Sequence, residues 1–103
     1  MEYKVKSSRR ARKDLTAIGD YITKELHAPQ AALDLMDEID SQLIGLRQMP
    51  KRFALVSDER IARSDIRSIP VKNYLIFYVV DDATKTVNIL RILYSRRDWA
   101  KLL

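Results

Sequence analysis

Apolar positions recur with two different periods along this chain. Ala11, Leu15, Ile18, Ile22 and Leu26 follow one another at spacings of three and four, the core-facing stripe of an amphipathic helix. Ser7 or Ser8 stands just ahead, with a hydroxyl able to accept from the helix's first free amides. His27-Ala28-Pro29 breaks the stripe, and Pro29 suits the start of a second helix, where its missing N–H is not needed. That helix runs to about Gln48 and turns Ala32, Leu35, Met36, Ile39, Leu43 and Leu46 inward. A link this short makes the two an antiparallel helical hairpin.

Elsewhere the pattern is that of strands. Tyr3 and Val5 share one side of a short extended segment, with Glu2, Lys4 and Lys6 on the other. Residues 51–65 are irregular and charged, a loop anchored by Phe53, Leu55, Val56 and Ile61 that carries Lys51, Arg52, Arg60 and Arg63 outward. Ile66–Val71 reads as a strand whose pairing Pro70 restricts, and Lys72-Asn73 as the turn after it. Tyr74–Val80 and Val87–Tyr94, both rich in Ile, Val, Leu and aromatics, flank the polar segment Asp81–Thr86 and form a β-hairpin. Both faces of these two strands are largely apolar, which places them inside the sheet, covered at least partly on both sides. A short helix follows from about Arg97 to Leu102. The predicted fold is α+β in two layers, a helical hairpin packed on a small, mainly antiparallel sheet. Its order is β-α-α-β-β-β plus a short C-terminal helix, in one domain spanning 1–103.

Composition narrows the function. Lys and Arg exceed Asp and Glu by 19 to 14, a net charge of +5, which favours an acidic partner, either nucleic acid or protein. Arg9, Arg10, Arg12 and Lys13 crowd the first turns of the first helix, against its dipole, so the helix tolerates rather than uses them. Asp34, Asp37, Glu38 and Asp40 fall on the outer face of the second helix and read as solvation, and His27 as a local group in a helix-ending turn. There is no cysteine, no ligand cluster and no glycine-rich phosphate loop, so neither metal nor cofactor is expected. No apolar run approaches the ~18 residues of a membrane span, and a cytoplasmic, membrane-free protein is expected.

The order of elements resembles that of the RelE/ParE superfamily, toxins of bacterial type II toxin–antitoxin pairs. Tyr74-Leu75-Ile76-Phe77-Tyr78 is similar to the superfamily's central strand. Val87–Asp98, ending Tyr94-Ser95-Arg96-Arg97-Asp98, resembles the last strand and its arginine-rich exit, and Ile66–Val71 the strand before them. The resemblance implies a growth-inhibiting toxin, associated with plasmid stabilisation and neutralised by a cognate antitoxin with an acidic, amphipathic segment. Its target is DNA gyrase if the chain is ParE-like, or mRNA on the ribosome if it is a RelE-like endoribonuclease. Cleavage by attack of a 2′-hydroxyl needs a proton acceptor, a proton donor and cations for the phosphorane. On this resemblance Arg67, Arg91, Tyr94 and Arg96 are the catalytic candidates, only for a nuclease. Leu75 stands where nucleases often carry arginine and Leu93 where one branch has histidine, departures that favour the ParE-like side. Arg67, Arg91, Arg96, Arg97 and Trp99 are the partner-binding candidates, the guanidinium groups forming one cluster that an acidic partner silences.

Geometry sets a condition on a shared site. In an unbroken strand Val87, Ile89, Arg91 and Leu93 share one face, and Leu90, Ile92 and Tyr94 the other. Arg91 and Tyr94 then meet only through a bulge or a strand-end effect. The simpler reading makes Arg91 an edge residue paired with Asp81 or Asp98, Tyr94 a packing residue, and Trp99, Leu102 and Leu103 a lid on the core.

Overall fold

The computed structural model describes residues 2–61 and 63–103; Met1 and Ala62, the latter inside the predicted loop, lie outside the described residues. Strands β1 (Lys4–Ser7), β2 (Arg67–Val71), β3 (Tyr74–Asp81) and β4 (Thr86–Tyr94) form one open sheet in the order β1-β4-β3-β2. β2 and β3 run antiparallel to their neighbours, while β1 lies parallel to β4. Helices α1 (Arg9–Asp20) and α2 (Pro29–Gly45) cover one face, the expected two-layer α+β arrangement. Pro70 sits on the edge strand β2, where its missing amide breaks no interior ladder. No helix among the described residues is long and apolar enough to cross a membrane.

β3 is buried on both faces because two cores grip it. Ile76 and Tyr78 pack under the helices with Ile39, Leu35, Val87 and Ile89. Phe77 and Val79 pack on the other side with Ile66 and Leu93. The loop before β2 and a 3₁₀ turn at Trp99–Leu102 close that second core, the Trp99 ring lying 5.3 Å from that of Phe77. The C-terminal element thus begins two residues later than expected and is a 3₁₀ turn. Of the predicted loop anchors Phe53, Val56 and Ile61 are part-buried, but Leu55 is exposed: an isolated bridge to Arg67 holds its backbone and leaves the side chain outside.

Two irregularities correct the expected faces. Past Asp20 the first helix widens into a π-turn, Tyr21–Glu25, with Leu26 N donating to Tyr21 O. The longer turn rotates Leu26 off the stripe, leaving it 54% exposed while Ile22 stays buried. In β4 the register against β3 slips between Phe77 and Tyr78, which face Arg91 and Ile89, so Leu90 is the extra residue of a bulge. The predicted alternation breaks there. Val87 and Ile89 face the helices, and beyond the bulge it is Ile92, not Arg91, that joins them.

β1 pairs with β4 only as far as Ile89, and α1 supplies what the strand lacks beyond it. Ser8, the N-cap, accepts from Ala11 N at 3.0 Å and donates through Oγ to Leu90 O at 2.8 Å. Asp14, nearly two helical turns on, accepts from Ile92 N at 3.0 Å. The same carboxylate takes Arg91 Nε at 2.8 Å and Nη2 at 2.9 Å, a bidentate pair with both side chains largely buried. Asp14→Ala strands a mostly desolvated guanidinium and a strand amide together. We expect it to cost about 3 kcal/mol in urea denaturation. Arg91→Met, which leaves only the carboxylate with one remaining donor, should cost less; a loss under about 1 kcal/mol for Asp14→Ala sinks this account.

Candidate functional site

A groove of about 780 Å³ opens at the end of the sheet where β3 begins and β4 finishes. The antiparallel register places Tyr74 opposite Tyr94, their rings edge to face with centroids 5.7 Å apart. Across from them the π-turn presents Tyr21, 53% exposed, and the displaced Leu26. Ile18, Ile22, Leu35 and Ile92 make an apolar floor, Asp14 lies at one end, and Lys72 and Arg97 stand on the rim. Lys72 holds the turn between β2 and β3 with a positive φ of 52°. Among the described residues neither Lys72 nor Arg97 has an ion-pair partner, and Asp14 is already committed to Arg91. The groove is therefore apolar inside and cationic at its lip.

Arg67, Arg91, Arg96 and Arg97 are not gathered into one cluster. Arg67 pairs across the ladder with Tyr78, on the helix face, while Arg91 pairs with Phe77, on the other. Arg67 donates to Phe53 O at 2.7 Å and Lys51 O at 3.2 Å, and Tyr78 beside it donates to Pro50 O at 2.6 Å, so together they pin the chain after α2. Arg91 holds Asp14, neither Asp81 nor Asp98: Asp81 caps its own turn at Ala83 N, and Asp98 pairs with Arg60. Arg96 and Arg97 are exposed, and of the two only Arg97 lines the groove. The bulge that could have joined Arg91 to Tyr94 falls before Arg91, so the two remain on opposite faces. Trp99 is part-buried in the second core, away from the groove.

Electrostatics separate these groups by role. The Asp14 carboxylate, by hydrogen bonding, holds the Arg91 guanidinium further into its charged range. Burial raises the Tyr74 phenol, and Tyr94 and Tyr21 beside it push the same way. Burial raises Tyr78 too, against the pull of Arg67 and Arg52. A phenol raised in this way is a poor proton acceptor near neutrality. Among the described residues no group of three His, Cys, Asp or Glu could hold a metal ion.

Sequence reasoning missed Tyr21, Leu26, Lys72 and Asp14. One signal was available: Asp14 is the lone carboxylate of the run Arg9–Asp14, where a solvated basic face has no need of one. Tyr21 lies off the helical stripe, and only the π-turn shows what it faces.

Several comparisons bear on this arrangement. A family model described as the ParE toxin of the type II toxin–antitoxin system, parDE, matches residues 5–99. No curated protein matches the sequence. Among solved structures, a chain of the chromosomal ParDE system from P. aeruginosa superposes with a TM-score of 0.72 at 26% identity, covering 90% of this chain and 96% of that one. A chain of the RelBE2 toxin–antitoxin complex from Mycobacterium tuberculosis gives 0.65 at 22% identity, covering 91% and 99%. A chain of the intact E. coli RelBE complex gives 0.60 at 18% identity, covering 92% and 99%; these last two likenesses concern the fold.

The phenols supply a test of the burial described above. Tyr74 and Tyr78 keep their protons in the folded protein above the ordinary value near ~10, whereas the unfolded chain releases them there. Their contribution to stability is complete below about pH 10 and is lost as pH rises through the folded values. Phenolate absorbance should show a late-titrating component that shrinks in Tyr74→Phe and again in Tyr78→Phe; a titration unchanged by both substitutions contradicts it.

Proposed function

This chain belongs to the ParE toxin family of type II toxin–antitoxin systems, and from that premise we propose that it arrests growth by binding DNA gyrase in the cytoplasm. A cognate antitoxin silences it. The observation that carries the reading is a family match running through 95 consecutive positions, from the parallel strand β1 to Trp99.

Site chemistry supports binding over catalysis. A nuclease using Arg91 needs that guanidinium open to a phosphate, yet it is closed in a bidentate pair with Asp14 and also donates to Leu102 O at 3.2 Å. Arg67 is likewise committed to main-chain carbonyls. The raised phenol of Tyr74 offers no ready base. What stays available is the exposed pair Arg96 and Arg97 beside Tyr94, a surface suited to grip an acidic region of another protein. The antitoxin partner draws support from the neighbours, which come from toxin–antitoxin systems.

Purified protein added to gyrase, ATP and relaxed plasmid should block supercoiling and accumulate linear DNA, with cellular messages left intact on induction. Arg96→Ala/Arg97→Ala should weaken this inhibition about tenfold without changing the melting temperature. Cuts in ribosome-bound messages, with normal supercoiling, replace this reading with an endoribonuclease.

A further inference from the structure

We infer that the corner where β1 passes into α1 holds the phosphate backbone of duplex DNA, through Lys4, Lys6, Arg9, Arg10, Arg12 and Lys13; the choice of DNA over RNA rests on the gyrase reading above. The first ground is where the charge lies. These six cations stand within residues 4–13, a stretch with no carboxylate, and they leave the rest of the chain close to neutral. All six are exposed, and among the described residues none forms an ion pair. Elsewhere Lys51, Arg60, Arg63, Arg91 and Lys101 each face an acid. Carboxylates that could screen the corner are committed: Asp14 holds Arg91, Asp65 holds Arg63, and Glu2 accepts from Gln48.

The second ground is placement. In β1 Val5 packs on the helix side, so Lys4 and Lys6 turn to the opposite face of the sheet. Lys6 stands beside Asn88 in the parallel register, and two residues further along β4 Leu90 shares a hollow of about 330 Å³ with Ser8, Arg10 and Arg63. Arg9 and Lys13, four residues apart, are neighbours on the outward surface of α1, and Arg12 reaches back to donate to Ser7 O. The cations thus run as one strip from the sheet edge round the start of the helix. The helix end is not itself the site. Ser8 already takes Ala11 N and Arg12 N, and cations in this turn oppose the dipole rather than draw on it. A nucleic-acid backbone laid across the strip removes that conflict.

Chemistry selects a duplex. Single strands are held largely by stacking on rings, and the strip has no exposed ring: Tyr3, next to Lys4, packs against the helix-side core and donates to Asp82. What the strip offers is contact with phosphates, without sequence preference. Arg96 and Arg97, assigned above to a protein partner, lie past the far end of α1, a helix about 18 Å long. One helix thereby carries a DNA-binding end and a protein-binding end, which suits a protein target that is itself bound to DNA.

The test is binding of the full-length protein, free of antitoxin, to a fluorescent duplex of about 20 base pairs, followed by anisotropy between about 50 and 200 mM NaCl. Affinity should fall with salt with a log–log slope of about −4, the mark of roughly four phosphate contacts. Arg9→Glu/Arg10→Glu should reduce that slope by about two and weaken binding at least about thirtyfold at about 100 mM salt. Carboxylates sit well in a first helical turn, so this variant should melt no lower than the parent. Arg96→Glu/Arg97→Glu has the same net charge but lies beyond the screening length of ~10 Å, and should weaken binding less than about threefold. No duplex binding at the lowest salt, or equal losses in the two charge reversals, overturns the inference. Tighter binding to duplex RNA than to duplex DNA overturns the assignment to DNA. Duplex bound as expected while gyrase supercoils normally leaves this face standing and removes the gyrase reading; gyrase inhibited by a protein that binds no duplex does the reverse.

Discussion

Asp14 closes the half of β4 that β1 leaves open. A sheet edge with no neighbour exposes unpaired amides, and here a helix replaces the missing strand with a side chain. The carboxylate takes a strand amide and a bidentate guanidinium at once, and Ser8, the N-cap, takes the carbonyl of Leu90. Desolvating both charges is expensive, so the pair gains only because these additional donors satisfy the carboxylate. Helix α1 is thereby fixed against β4, and the groove between them acquires a rigid wall. The cations crowding the first turns of α1 are tolerable in part because that helix is held at its capped end from outside.

The bulge at Leu90 is the second constraint. Without the extra residue, Val87 and Ile89 would share the helix face with Arg91, placing a guanidinium under α1 and Ile92 on the other side. With it, Ile92 continues the helix-side core, while Leu93 completes the second one with Phe77. One inserted residue thus turns Arg91 toward the Asp14 edge and Tyr94 toward the groove. The separation of structural arginines from exposed ones follows from that turn.

Much of the architecture was legible in the chain because it is local. The stripe of α1, the Pro29 start of α2 and the two apolar strands around Asp81–Thr86 each declare themselves within a dozen residues. The site was less legible because its contacts are not local. Arg91 and Asp14 are 77 positions apart, and nothing near Arg91 predicts that partner over Asp81 or Asp98. Reading Arg67, Arg91, Arg96 and Arg97 as one cluster assumed that neighbours in a strand pattern share a face; Tyr78 and Phe77, opposite the first two, show that they do not. Leu26 failed differently: periodicity carries a helix forward at constant pitch, and a π-turn changes the pitch without an obvious mark in the sequence.

The pairing of β1 with β4 has a consequence for biosynthesis. Val5 finds its partner only when Val87 has been made, so the sheet cannot assemble while the intervening chain is still emerging. The helical hairpin, whose contacts are short-range, is ready much earlier and meanwhile exposes Leu35, Ile39 and Leu46 to the surroundings. Each newly translated molecule therefore passes through an interval in which it is harmless and sticky, and chaperones or an early-arriving partner have that interval in which to act.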